Sequence, residues 1–513
     1  MTDRWRLATD ICATHFLTSI LAAGSSKSQQ LSKPVPIPPA SHLALLGTIA
    51  IHPTCTTRAD KPDLVDGASH ALCYLRSILK LVGPLHADLR TAFQFRQATR
   101  WGGRRSHGFG SGAASDGSDA ESEREEGRLA GALANQSSVW SRGQDFWAVV
   151  GWAMNCSVLY PQRWRYWYPW LEFMCDMLEA DWAERERIDQ ETSDPGDSMG
   201  EATVTARQQS ILMMYMDQQS GRQGSFKMIV KALLADGGSL SSTSFPEVFD
   251  KEPRGRQKES KKRKRESLDL ENDKFGDYMD EDAVSSGSSE PPTPQKPRDQ
   301  RKGKLSGVAH GGLVDSMRVR LRLFKLVSLA TWTLRPLKEL EDLYEDFAAA
   351  LKLVPLSVFT LIVSQHASIL LPASYVTLLK ELLYRLLPNS AKPPGRVDPE
   401  GEAGGSLTAR MMEHCFVLHA ANTVAPDDNA KLSIVIESAL QMLWAADELE
   451  DDSTGLIRAV EKGIQAREAK VKKKRGAKAK AVDPEDAYAL EVLDNSATRL
   501  QHFLDLIGGD FED

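Results

Sequence analysis

Apolar residues in this chain recur every three or four positions and never alternate with polar ones over a sustained run. That spacing gathers them on one face of a helix, so the pattern predicts an all-α protein with essentially no sheet. Near the start, Trp5, Ile11, Phe16, Ile20 and Leu21 fall close to helical spacing. Leu72, Leu75, Leu79 and Val82 repeat it, up to a stop at Gly83-Pro84. Residues 86–98 add one more short helix. Trp147, Val150, Met154 and Val158 form a further stripe. After Pro161, suited to a first helical turn, Trp164, Trp167, Leu171, Met174, Leu178 and Trp182 form another. Two stripes joined by a short turn predict a helical hairpin with an aromatic seam.

Further helices are expected over 205–218, over 225–236 with a Gly237-Gly238 stop, and over 314–334 before Pro336. Leu337, Leu340, Leu343, Tyr344, Phe347 and Leu351 mark the next, and 355–371, 372–388, 407–424 and 429–450 continue the series. Asp483 and Pro484 supply an N-cap and a first residue for the last helix.

Interruptions of this pattern divide the chain. An N-terminal helical block covers 1–101. A Gly/Ser-rich, then acidic, linker covers 102–136, and a tryptophan-rich block covers 137–250. A basic, then acidic, linker spans 251–306, before a C-terminal block over 307–510. The last block contains a Gly/Pro-rich loop at 388–405 and a basic segment at 467–482. Both linkers carry too little apolar surface to offset chain entropy, so disorder is expected there. The cadence of helix, break, helix fits an irregular α-solenoid of HEAT/ARM type or a multi-helix bundle. No repeat of fixed length chooses between them.

Composition agrees: 42% of the 513 residues are apolar, enough for a core, and 26% are charged. The net charge of −7 hides strong local segregation. The six cysteines (Cys12, Cys55, Cys73, Cys156, Cys175 and Cys415) form no CxxC pair, which suits reduced thiols in a reducing compartment. The N-terminal residues lack a signal-peptide pattern. The longest near-apolar run, 146–160, is broken by Asn155 and Ser157 and falls short of the ~18–20 residues a membrane span needs. The expectation is a protein neither secreted nor integral to a membrane.

The sharpest local signal is the first basic run. Lys258, Lys261, Lys262, Arg263, Lys264 and Arg265, with Lys251, Arg254 and Arg256 ahead of them, form two clusters on a linker. An extended basic peptide fits the acidic groove of an import receptor, which predicts nuclear localisation. The same charges could meet nucleic-acid phosphates, in competition with the eight acidic residues over 266–282. In the second run, Lys472, Lys473, Lys474 and Arg475 are candidates for weak, sequence-independent contact with DNA or RNA. A second import signal or a solvated helix extension would look the same. Thr293 before Pro294, and Ser118 and Ser122 each three residues before a glutamate, are candidate phosphosites.

Seven of the 11 tryptophans lie in the second block. There Arg163 and Arg165 interleave with Trp164, Tyr166, Trp167, Tyr168 and Trp170. Exposed, these rings could anchor a partner, stack on bases or cage a methylated lysine. Packed inward, the same spacing is a core.

Motifs for chemistry are weak. His52-x-x-Cys55 and His70-x-x-Cys73 could supply two imidazoles and two thiolates to zinc. However, Cys73 has a core position on its helix, and the first pair lies in a loop. His414, Cys415 and His419 share a helix without an obvious further ligand. The glycine-containing stretches at 24–28 and 108–112 lack the setting of a phosphate cradle. No hydrolase elbow, zincin motif or kinase set occurs. The sequence therefore calls for no metal or cofactor. It points to a non-catalytic scaffold, an accessory subunit of a nuclear chromatin- or DNA-associated complex whose partners are its protein subunits. The alternatives are a nucleolar ribosome-biogenesis or RNA-processing factor, and a cryptic enzyme or methyl-lysine reader using the tryptophan-rich hairpin.

Overall fold

A computed structural model describes residues 16–24, 35–95, 129, 131–192, 205–218, 225–253, 307–364, 370–449, 454–475 and 484–508. Of residues 225, 307–310, 473–475 and 508 it describes the backbone alone. All regular structure among the described residues is helical, as the three-to-four-residue periodicity requires. The principal helices are α1 (Ala40–Ile49), α2 (Pro62–Leu81), α3 (Phe146–Leu159), α4 (Pro161–Thr192), α5 (Ile211–Asp217), α6 (Ser225–Leu233) and α7 (Gly307–Leu334). After them come α8 (Leu337–Leu351), α9 (Leu356–Ser364), α10 (Pro372–Leu386), α11 (Pro426–Ala445), α12 (Thr454–Arg475) and α13 (Pro484–Gly508). No described helix is long and apolar enough to cross a membrane. Of the expected linkers, 102–136 and 251–306, residues 102–128, 130 and 254–306 lie outside the described residues; the described ends belong to the folded body instead, since Asn135–Ser137 form a 3-10 turn and Ala134 and Glu252 are buried.

Prolines set many of the helix starts. Pro62, Pro161, Pro372 and Pro426 each open a helix, where a missing N–H costs no hydrogen bond. Pro336 caps α8 from outside, and Gly237 turns the chain beyond α6 at φ +75°.

The three helical blocks share one hydrophobic core. The hairpin of α3 and α4 lies at its centre, flanked by α1 and α2, with α6 and α7 on α3. From there α8, α10, α11 and α13 pack in succession. Helix α3 is buried nearly all round, which explains why its apolar residues outnumber a single stripe. Its neighbours tie to it through single polar atoms. Trp147 donates through Nε1 to the carbonyl of Tyr215, and Tyr215 donates through its hydroxyl to the carbonyl of Phe93 (3.1 and 2.8 Å). The aromatic seam thus reaches from the first block into the second: Phe93 stacks on Trp140 at 4.8 Å and Phe146 on Tyr215 at 4.3 Å.

Two glycines allow helices to touch backbone to backbone. A Cβ on Gly312 of α7 would stand 1.9 Å from the carbonyl oxygen of Ser157 in α3. One on Gly463 of α12 would stand 1.7 Å from that of Val417. Arg320, two turns along the same side of α7 as Gly312, is buried and donates to the carbonyl of Leu233 (2.7 Å) and to Ser316 Oγ (2.8 Å). Burial pushes its pKa down to about 10. The Leu233 carbonyl is the last of α6, so the cation meets the negative end of that helix.

Four sequence expectations need correction. Of the helix expected over 86–98, the described residues 86–95 give only one helical turn, Leu89–Ala92, because Asp88 enters it at φ +47° and Phe93 and Phe95 turn into the core. Cys73 is exposed, not core: the buried face of α2 is Ala71, Tyr74, Leu75 and Ile78, rotated from the expected stripe. The helix expected over 407–424 stops after a π-helical turn at Met412–Phe416. Beyond it, Arg467 and Lys470 side chains take the carbonyls of Val417, His419, Ala421 and Asn422, and the Asn422 N–H donates to Leu386. Finally, the basic segment at 467–482 does not begin in solvent: its first residue, Arg467, is buried on α12, which continues through Arg475.

Candidate interaction surfaces

The tryptophan-rich hairpin is interior. Trp140, Trp147, Trp152, Trp164, Trp167, Trp170 and Trp182 are all buried. The helical spacing of these rings brings them together inside the fold, where no face is left for a methyl-lysine cage or a stacked base. Of the five residues singled out as a partner surface, Trp164, Trp167 and Trp170 are core. Only Tyr166 and Tyr168 keep part of their surface in solvent, with the Arg165 guanidinium over the Tyr166 ring at 6.0 Å.

Arg163, which reads in sequence as one of two interleaved cations, is among the most buried side chains in the molecule. Its Nε and Nη2 donate to Glu252 Oε1 at 2.9 and 2.6 Å, Nη2 also to the Ile51 carbonyl, and Nη1 to Thr56 Oγ1. Trp167 donates through Nε1 to the same carboxylate oxygen at 2.7 Å. The second oxygen of Glu252 accepts from the Phe249 N–H at 3.2 Å. The charge pair is therefore enclosed and hydrogen-bonded on both sides, the condition under which burying it is tolerable. It joins the first block, α4 and the start of the segment expected as the second linker.

His52 borders this node, with its ring edge against Phe249 at 4.7 Å. Burial, then the neighbouring Arg163, Arg142 and Arg58, push its pKa down to about 4. It is thus a neutral structural imidazole at neutral pH, with Nδ1 2.7 Å from Thr54 Oγ1. Cys55 is buried and Cys73 exposed. Among the described residues no three His, Cys, Asp or Glu side chains are placed to share a metal ion.

The second basic run splits in two. Arg467 is fully buried and donates through Nη1 to the carbonyls of Val417 and His419, each at 3.3 Å. Burial lowers its pKa to about 10. The signal was present in sequence: Leu456, Val460, Ile464, Arg467 and Val471 keep helical spacing, with the arginine as one member of an apolar stripe. Lys472 is the first outward cation. It pairs with Glu468 at 3.2 Å and borders a groove of about 350 Å³ that Glu468, Glu491 and Asp494 also line. A phosphate approaching Lys472 would meet those carboxylates. The side chains of Lys473, Lys474 and Arg475 lie outside the description, as do Lys258, Lys261, Lys262, Arg263, Lys264, Arg265, Thr293, Ser118 and Ser122 altogether.

Sequence reasoning passed over the two tryptophans that face solvent among the described residues. Trp332 near the end of α7 is 65% exposed and Trp444 near the end of α11 is 57% exposed. Leu337, just past Trp332 on α8, is 62% exposed, and Leu506 on α13 is 63% exposed. Each of these rings stands alone in the sequence, without the clustering that draws attention to 140–182.

Comparison with protein-family models, curated proteins and solved structures gives no match for this chain.

Proposed function

We propose that the protein is a non-catalytic helical scaffold, an accessory subunit of a nuclear assembly associated with chromatin or DNA, and that it works by holding protein partners. The observation that carries this reading is the contrast between its tryptophans. Seven rings are packed inside a body that needs them for its core, whereas Trp332 and Trp444 are more than half exposed. Large exposed rings on a well-packed body mark sites where a partner excludes water. The nuclear part of the proposal rests on the basic run ending in Arg265.

The test is affinity purification of the tagged full chain from nuclear extract, with and without nuclease, read by quantitative mass spectrometry. A stoichiometric set of partners that survives nuclease is expected. Partners that vanish with nuclease would replace the scaffold by direct nucleic-acid binding, and a protein confined to the cytoplasm would remove the nuclear assignment.

A further inference from the structure

Trp444 and Phe503 meet edge to face, with ring centroids 6.0 Å apart and planes at 89°. They bring the ends of α11 and α13 together. The two helices run in the same direction: Ser433 bonds Ser496 at 2.9 Å, and Glu437 then receives Ser496 and Arg499. Their C-terminal ends therefore emerge side by side. Leu506, one turn beyond Phe503 on the same helix, extends the apolar surface into solvent. Phe503 itself is only partly buried.

Acidic side chains follow the Trp444 ring: Asp447 and Glu448 come three and four residues after it, and both are exposed. The nearest cation on α13, Arg499, is held by both oxygens of Glu437 at 2.6 and 2.9 Å. The negative ends of both helix dipoles point the same way. The setting of Trp332 differs, since Arg335 pairs with Asp217 there and Lys338 follows.

We infer that the Trp444–Phe503–Leu506 surface is a docking site for a basic amphipathic segment of a partner protein, with its apolar side chains over the two rings and its lysines or arginines against Asp447 and Glu448. The inference rests on the scaffold reading above and names the chemistry of one partner for one of its two exposed tryptophans. A hydrophobic anchor enclosed by complementary charge supplies affinity from the rings and orientation from the rim.

The experiment uses the full chain and two synthetic helical peptides of identical leucine pattern, one with lysine and one with glutamate at every polar position. Binding is followed by fluorescence anisotropy at physiological salt. The Leu/Lys peptide is expected to bind, and the Leu/Glu peptide to bind at least about tenfold more weakly. Trp444→Ser is expected to weaken the Leu/Lys complex by about thirtyfold or more, as loss of an interface anchor does. Asp447→Lys combined with Glu448→Lys should weaken it by about tenfold. Trp332→Ser should leave it unchanged. Thermal melts establish that the exposed-site variants remain folded.

Equal binding of both peptides, or a Leu/Lys complex indifferent to Trp444→Ser, overturns the inference. So does a wild-type dimer in sedimentation that Trp444→Ser converts to monomer, because the occupant is then a second copy of this chain. If nuclear partners still co-purify with the Trp444→Ser chain, the site fails while the scaffold survives. If no partners co-purify with the wild type, the scaffold fails whatever the peptides do.

Discussion

Glu252 lies 89 residues from Arg163 in the chain, and its Oε1 sits 2.6 Å from the arginine's Nη2 in the fold. Neither side chain reaches water to any useful extent. The pair closes the tryptophan-rich block onto the first, because Arg163 also holds the Ile51 carbonyl and Thr56. Glu252→Gln should leave a buried guanidinium uncompensated and cost about 3–5 kcal/mol in urea unfolding. Arg163→Met with Glu252→Met should cost less than the sum of the two single substitutions. An additive double-mutant cycle would mean that the two charges are not coupled.

Gly312 and Gly311 are neighbours in α7 with opposite surroundings. A Cβ at Gly311 meets nothing within 4 Å, whereas one at Gly312 collides with the Ser157 carbonyl at 1.9 Å. Gly311→Ala should therefore stabilise by about 0.5–1 kcal/mol, the usual helix gain. Gly312→Ala should destabilise by about 1–3 kcal/mol as α7 is forced away from α3. Equal effects of the two substitutions in thermal or urea unfolding would contradict this helix crossing.

Much of the fold was legible because it depends on local order. Pro161, Pro336 and Pro484 mark boundaries by removing a donor, and Gly237 marks one by allowing positive φ. These effects act within one or two residues. The tryptophan stripes of α3 and α4 likewise pair across a short turn. What was not legible depends on distance. The environment of Arg163 comes from Glu252, Ile51 and Thr56, none of them near in sequence, so the sequence shows it only as one of two cations interleaved with aromatic residues. Arg467 sits in an apolar stripe that its own charge disguised. Gly312 reads as a weak point in a helix until the Ser157 backbone is seen against it. The candidate site was hidden for the same reason, since Trp444 and Phe503 come together only when α12 carries the chain back to lay α13 beside α11.

Trp167→Ala removes a fully buried ring together with the donor that Glu252 accepts. The expected cost is about 3–5 kcal/mol. A loss below about 1 kcal/mol in urea unfolding would place Trp167 outside the core.

His52 gives a pH dependence with a definite sign. In the folded chain burial and then Arg163, Arg142 and Arg58 hold its pKa near 4, against 6.5 for an ordinary histidine. The unfolded chain thus binds one more proton between those values, and stability falls as the pH drops through the window. His52→Gln should flatten the decline in thermal midpoint between pH 6.5 and about 5, above the range of ordinary carboxylates. An unchanged slope would mean that His52 titrates alike in both states.

The central claim is that this body holds protein partners through its exposed rings. The most direct measurement is quantitative co-purification from nuclease-treated nuclear extract by the wild type and by a Trp332→Ser/Trp444→Ser chain whose thermal midpoint matches it. The expected result is a stoichiometric partner set on the wild type and loss of at least one partner from the variant. Identical partner sets, or none on either chain, would contradict the claim.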